Sequence, residues 1–312
     1  YRAWQNVPYT VVVDYYLTPT AVAFADLVLP VAMSVERDSF RSWWQPLRTL
    51  TAAAGRYYEC MMDEELVFYL GKRFNPDFFN QFETVRDFLT WMIQDDGNGV
   101  PYTFEDLTHK VYDYWDWNET YHKYEKGLLR PDGSLGFPTP SGRIEFWCES
   151  LAAFGSDPLP DFEEPAESPV STPELAEEYP LVVVTGIRIY SFFHSAWTNT
   201  PAQRKMYPDP FVMIHPNDAR KYGITDGEWV TVESRVGHMI SKAYVTREIK
   251  EGVVGVPRPG WRDECKELGL PGYGWDKANG NVLIPSTPAE PGYGATPMRS
   301  SLVKIYPGRG DL

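Results

Sequence analysis

The sequence predicts two joined architectures, an α/β piece in the N-terminal half and a small closed β-barrel in the C-terminal half. Three observations predict them. Thr10 to Pro30 run strand, short helix, strand within roughly twenty residues, the spacing of the tail of a parallel α/β sheet. From Tyr179 onward, short apolar runs recur between turn signals such as Asp226-Gly227, Val236-Gly237 and Asn279-Gly280, the pattern of a small barrel. Between the two, Asp157 to Pro173 is rich in proline and acid, including Phe162-Glu163-Glu164-Pro165, a composition that suits an extended crossing segment. The expected organisation is an α/β domain end with a helical insertion over 1–156, a linker over 157–178, and a barrel over 179–312.

Each element has its own local reason. Thr10 to Val13 is a β-branched run, Thr20 to Phe24 a short helix with threonine at its start, and Asp26 to Pro30 a buried strand stopped by proline. Thr18 and Thr20 follow a strand end, where ligands sit on such sheets, although a helix cap explains either. Glu36 to Ala54 is irregular, with Phe40, Trp43 and Trp44 beside Arg37, Arg41 and Arg48, and suits a packed surface loop better than a pocket lining. Glu59 to Phe74 is helical by period, with Lys72 and Arg73 in its last turn. Phe82 to Ile93 is a second helix and Thr103 to Val111 a third, separated by the turn Asp96-Gly97-Asn98-Gly99. Tyr112, Tyr114, Trp115 and Trp117 crowd together, most simply as core. Asp132 to Gly136 is a turn, and residues 137–146 turn into a strand.

In the barrel, the apolar run of residues 180–184 is the first strand and ends at Thr185-Gly186. Asn217 suits an N-cap for a helix over Asp218 to Tyr222, with Gly223 past its end. Glu228 to Ser234 and Met239 to Thr246 form an antiparallel pair, residues 253–256 another strand, Asn281 to Ile284 a turn-and-strand, and Ser300 to Tyr306 the last strand.

Charge and composition exclude several functions. The net charge of -14 and the absence of a basic run argue against a nucleic-acid partner. An anionic ligand would need local backbone donors and a few placed arginines. Cys60, Cys148 and Cys265 are far apart and odd in number, which excludes a zinc knuckle, a locally spaced iron–sulfur site and a disulfide framework. Asp14 and Asp26 interrupt the most apolar N-terminal stretch, so no membrane span is expected. The chain opens Tyr1-Arg2-Ala3 without methionine and soon enters a strand pattern, so it reads as a piece of a longer protein whose targeting signal would precede Tyr1.

The motif survey finds no phosphate-binding glycine loop, dinucleotide glycine fingerprint, His-Glu-x-x-His motif or Gly-x-Ser-x-Gly elbow. The His194-Ser195 pair after a strand end offers hydrogen-bonding groups to a phosphate or ring edge, and a hydrolytic dyad there is the weakest reading. Physical reading alone stops at an α/β piece joined to a barrel with one polar ligand site.

The ordered pieces Tyr179-Pro180-Leu181 to Thr185-Gly186-Ile187-Arg188, Phe193-His194-Ser195, Ile214-His215-Pro216-Asn217-Asp218-Ala219, Gly223 to Val230 and Asn281-Val282-Leu283 carry a resemblance. They resemble the C-terminal molybdopterin-dinucleotide-binding domain of the DMSO reductase family of molybdenum and tungsten enzymes. Upstream, Leu17 to Pro30 is similar to the end of that family's Rossmann-like cofactor-binding domains, and Thr139 to Glu145 to its bridge into the barrel. The resemblance implies a double-psi β-barrel and two molybdopterin guanine dinucleotides chelating Mo or W. It implies cofactor contacts at Thr185, Gly186, Arg188, Phe193, His194, Ser195 and Asn281, with Trp261 and Arg299 less secure. Arg258-Pro259-Gly260-Trp261 departs from the His-Gly-Trp form of some relatives.

The family's iron–sulfur cysteines and its protein ligand to the metal have no counterpart here and would lie before Tyr1. The resemblance therefore implies no catalytic or metal-ligating residue in this stretch, and a piece that is inactive and without cofactor by itself. It implies as partners the remaining N-terminal part of the same enzyme and an iron–sulfur electron-transfer subunit, in a prokaryotic cytoplasm or on the exported side. The aromatic middle hints at an organic substrate. The competing expectation is a non-catalytic binding or assembly module that keeps the barrel.

Overall fold

The computed structural model describes residues 2–41, 47–94, 100–110, 120–159, 161–194, 196–198, 200–258, 277–292 and 294–310. The expectations placed on Trp43, Trp44, residues 96–99, the aromatic group at 112–117, Ser195 and Trp261 lie outside the described residues. The chain divides into two compact units, Tyr1–Lys126 and Gly127–Leu312.

The first unit begins with α1 (Arg2–Gln5), β1 (Val11–Asp14), α2 (Pro19–Phe24) and β2 (Leu27–Pro30). β1 and β2 pair in parallel, Val11 opposite Leu27 through Asp14 opposite Pro30, so the anticipated strand–helix–strand unit is present. Thr18 caps α2, its side chain accepting from the Ala21 N–H at 3.3 Å. Thr20 lies inside the helix. The Asp26 carboxylate accepts from the Thr10 N–H at 2.7 Å and ties the start of one strand to the approach to the other.

The stretch expected as an irregular loop contains a hairpin, β3 (Ser39–Arg41) with β4 (Arg48–Leu50). Arginines at both ends masked its period-two pattern. The helices follow as α3 (Asp63–Phe74), α4 (Pro76–Phe79), α5 (Val85–Gln94) and α6 (Phe104–Thr108). α3 starts four residues later than its periodicity suggested, because Met62 is extended and Asp63, Glu64 and Glu65 fill the first turn, where carboxylates are stabilised. Leu47, Met62, Leu89, Ile93, Phe104 and Leu107 form the buried core of this unit. Beside it Phe68, Phe82 and Phe88 pack with Phe78, Phe79 and Trp91.

The second unit opens with turns rather than the strand expected at 137–146, then α7 (Glu149–Ala153) and α8 (Pro173–Glu178). The barrel strands are β5 (Leu181–Arg188), β6 (Phe211–Ile214), β7 (Trp229–Ser234), β8 (Gly237–Val245), β9 (Val253–Arg258) and β10 (Leu302–Pro307). α9 (Pro201–Met206) and α10 (Pro216–Lys221) lie between strands. The sheet closes in the order β10-β5-β9-β6-β8-β7. Two parallel pairs, β5 with β9 and β6 with β8, are joined by antiparallel pairs, so the closed barrel has crossing connections.

Leu181, Val183, Val212, Ile214, Val230, Val232, Val254 and Ile305 fill the barrel interior. Their fixed alternation sets the register, since a one-residue slip would send each set to the other face. Along the β10–β7 seam, Lys304 stands opposite Glu233, with Nζ 3.0 Å from its carboxylate. That hydrogen bond raises the Lys304 pKa.

Two local expectations shift. α10 starts at Pro216, so His215 is its N-cap, with Nδ1 accepting from the Asn217 N–H at 3.2 Å. Proline at the first helical position moves the start two residues back, and Asn217 instead contacts Glu251 and Arg220. The segment expected as a strand at Asn281 to Ile284 is a 3-10 turn, Gly280–Leu283, because the Asn279 side chain caps it by accepting from the Asn281 N–H at 3.0 Å.

The acid- and proline-rich stretch is placed within the second unit and is partly packed, not an open crossing. Glu167 is 5% exposed. One of its oxygens takes the Arg235 Nε–H at 2.7 Å, and the other takes the Leu302 N–H at 2.7 Å, the first residue of β10. Composition placed this carboxylate in an extended crossing segment, whereas the fold uses it as a backbone acceptor for the closing strand. Replacing Glu167 by Ala strands a buried N–H and is expected to cost about 1–3 kcal/mol. Glu167→Gln keeps an acceptor for Leu302 and should lose less. Urea unfolding midpoints of the two variants check this, and equal stability of Glu167→Ala and wild type would remove the clasp.

Candidate functional site

The C-terminal end of β5 gathers most of the candidate ligand residues. β5 runs in register with β9 until the alignment slips between Thr185 and Ile187, and Gly186 at the slip has φ 85°. That left-handed conformation favours glycine and lets the strand bulge without breaking the pair. Before the bulge Thr185 bonds to Met298, and after it Arg188 lines two recesses.

Around Thr185 three segments meet. The Thr185 N–H and hydroxyl both donate to the Met298 carbonyl, at 3.2 and 2.8 Å. A Cβ on Gly280 would stand 3.5 Å from Thr185 Cγ2 and 2.8 Å from Val256 Cγ1, so the 3-10 turn packs closely there. Asn281 and Arg299, both solvent-exposed, each follow one residue after these contacts. The structure thus brings Thr185 beside the segments that carry Asn281 and Arg299.

Beyond the bulge, Arg188, Ile189, Phe192, Phe193 and His194 line a small recess of about 30 Å³. His194 has φ 56°, and the Phe193 and His194 rings meet edge to face with centroids 4.8 Å apart. Phe193 is 62% exposed, an open aromatic face rather than a core ring. A non-glycine residue held in the left-handed region marks a turn fixed by its surroundings, a frequent feature of ligand loops.

Arg188 also borders a groove of about 570 Å³. Tyr207, Phe211 and Tyr244 form one wall of the groove. Tyr207 stacks on Phe211 at 5.9 Å, and Phe211 meets Tyr244 edge-on at 5.7 Å. Lys242, on the same wall, is 2.7 Å from the Asp209 carboxylate. This volume and the aromatic wall suit a small, flat organic ligand, with Arg188 as a cation at the border and Asp209, Asp226 and Glu248 also in the lining. Sequence reasoning missed the wall, because Tyr207, Phe211 and Tyr244 lie on separate elements and become neighbours only through the β6–β8 pairing.

Among the described residues no group of three or more His, Cys, Asp or Glu could hold a metal, and no helix is long and apolar enough to cross a membrane. Placed donors, open rings and a groove on a closed barrel make the β5 end a candidate binding site for a flat ligand.

Residues 181–301 match the molydopterin dinucleotide binding domain. The chain is 27% identical over 378 residues to a dopamine dehydroxylase of Eggerthella lenta, spanning 98% of this chain and 36% of that protein. It is 27% identical over 288 residues to the dimethyl sulfoxide/trimethylamine N-oxide reductase of Rhodobacter capsulatus, spanning 84% of this chain and 33% of that protein. The solved acetylene hydratase from Pelobacter acetylenicus superposes with a TM-score of 0.79 at 26% identity, over 96% of this chain and 40% of that one. The domain match over residues 181–301 and these likenesses therefore support a C-terminal region of the DMSO reductase family of molybdopterin oxidoreductases. It spans about a third of the length of the curated relatives it matches.

Gly237, the first residue of β8, tests how tightly the Asn281 turn is seated. A Cβ there would lie 2.5 Å from the Val282 carbonyl oxygen. Gly237→Ala is expected to push the turn away and cost about 1–3 kcal/mol of stability. Hydrogen exchange at residues 280–283 should accelerate, and unchanged protection there would contradict the close seating.

Proposed function

We propose that this chain is the cofactor-holding C-terminal portion of a prokaryotic oxidoreductase that carries two molybdopterin guanine dinucleotides on Mo or W. The single observation that carries the reading is the pairing of the matched domain with a β5 end where, beyond the Gly186 bulge, Arg188, Phe193 and His194 border a recess. The donor set fits the group. A pterin dinucleotide is flat, polar-edged and doubly phosphorylated, and the site offers an arginine, an imidazole, exposed aromatic faces and a glycine bulge. In this reading the two crossing parallel pairs make the closed barrel a double-psi barrel, and the β1–α2–β2 unit is the end of a Rossmann-like domain.

Arg188 supplies charge to a phosphate, His194 hydrogen-bonds a pterin edge or phosphate, and Phe193 covers a ring face. Asn281 and Arg299 approach from the 3-10 turn and the segment before β10, and Ser195 and Trp261 complete the contact set. The bound group supplies two-electron redox chemistry at its metal, and the chain's residues orient it and balance its charge. The remaining part of the enzyme brings the protein ligand to the metal, and an iron–sulfur subunit exchanges electrons with it. The dopamine dehydroxylase likeness favours an organic substrate over a small oxyanion.

Metal and pterin analysis of the full-length protein tests the proposal. Molybdenum or tungsten with a fluorescent oxidised pterin is expected, and Arg188→Ala should lower the retained pterin several-fold. Absence of both metal and pterin from wild type produced in a cofactor-competent host would overturn it.

A further inference from the structure

We propose that Thr185 is a positioning residue whose hydroxyl clamps the Met298 carbonyl and so holds Arg299 and the Asn281 turn toward the cofactor, rather than a residue that contacts the cofactor itself. This rests on the cofactor reading above, and it changes the role that the motif assigned to Thr185.

The geometry points to a clamp for three reasons. First, the Thr185 hydroxyl has a single proton, and that proton is directed to Met298 O at 2.8 Å. The Thr185 N–H reaches the same oxygen at 3.2 Å, so neither donor is left to a ligand. Second, the clamped segment has little else to fix its course. It lies outside the regular strands, and β10 begins only at Leu302. The next tie along it is the Val183 N–H to Ser301 O at 2.8 Å. These two anchors, at residues 298 and 301, bracket Arg299 and set the direction in which it leaves the barrel. Third, Thr185 Cγ2 faces Gly280, one residue before Asn281. One side chain therefore serves both segments that carry the outlying candidates, its hydroxyl bonded to one and its methyl facing the other. Threonine supplies both groups from a β-branched side chain that also suits a strand.

The test compares Thr185→Val, Thr185→Ser and Arg299→Gln in the full-length holoprotein. Valine keeps the shape and removes the hydroxyl donor, whereas serine keeps the donor and removes the methyl. Two readouts are taken: hydrogen exchange over residues 298–301 and the rate of pterin loss, followed by the fluorescence of the released, oxidised pterin. In Thr185→Val, exchange over 298–301 and pterin loss should both rise roughly five- to tenfold, the effect of one lost hydrogen bond, with the thermal midpoint within a few degrees of wild type. Thr185→Ser should restore exchange to near the wild-type rate. Arg299→Gln should speed pterin loss without changing exchange.

Faster pterin loss in Thr185→Val with unchanged exchange would make Thr185 a direct contact and overturn the clamp. Faster exchange with unchanged pterin loss would overturn its connection to the cofactor. A wild-type protein that holds no pterin would sink the functional reading instead, and the exchange data would still decide whether the clamp exists. Should Thr185→Val fail to fold, the serine variant decides alone: retained protection over 298–301 supports the clamp, and lost protection overturns it.

Discussion

Closure of the barrel depends on β10 serving two neighbours at once. Its first two residues pair with β5 and its next four with β7, so the strand must cross from one partner to the other within six residues. Leu302, Val303 and Ile305 are buried as it does so, and the Leu302 N–H, at the entry to the strand, is taken by Glu167. Without this crossing β5 would be an edge strand with unpaired backbone groups. The ligand end of β5 inherits its order from the same region, because Val183 and Thr185 donate to residues 301 and 298 just ahead of β10.

The charge pattern follows a similar division of labour. A chain with net charge -14 repels anions at long range, and salt screens that repulsion beyond about 8 Å at physiological ionic strength. Attraction for a phosphate-bearing ligand then has to come from cations within the site. Arg188 stands at the boundary of both recesses, whereas Lys242 in the larger groove is committed to Asp209, and Asp226 and Glu248 add negative charge there. Local geometry rather than overall charge sets what this barrel can hold.

The parts legible in the sequence were those written in local chemistry. The β1–α2–β2 unit, the helices α3, α5 and α6, the β7–β8 hairpin and the turns at Gly223 and Gly227 all carry their cause in adjacent residues, either as period, cap or turn chemistry. What was not legible depended on distant partners or on competition between neighbours. Glu167 reads as part of an extended crossing segment until Leu302 and Arg235 are seen around it. Asn279 outweighs the β-branched run after it and makes a 3-10 turn. Pro216 takes the helix start from Asn217. The candidate site shows the same split: the motif pointed to the β5 end, whereas the aromatic wall of Tyr207, Phe211 and Tyr244 and the use of the Thr185 hydroxyl required the folded barrel.

The long reach of the Glu167 clasp bears on how the protein is made. The carboxylate and the N–H it accepts are separated by 135 positions in the chain. On a ribosome moving at about 5–20 residues per second, a barrel closed by its last strand stays open for several seconds after its first strand emerges. Through that interval β9 can already pair with one edge of β5, but the edge that meets β10 stays open to other chains. Production of this protein is therefore governed by what shields a half-built barrel, and a host rich in chaperones should yield more of it than a host that merely translates it faster.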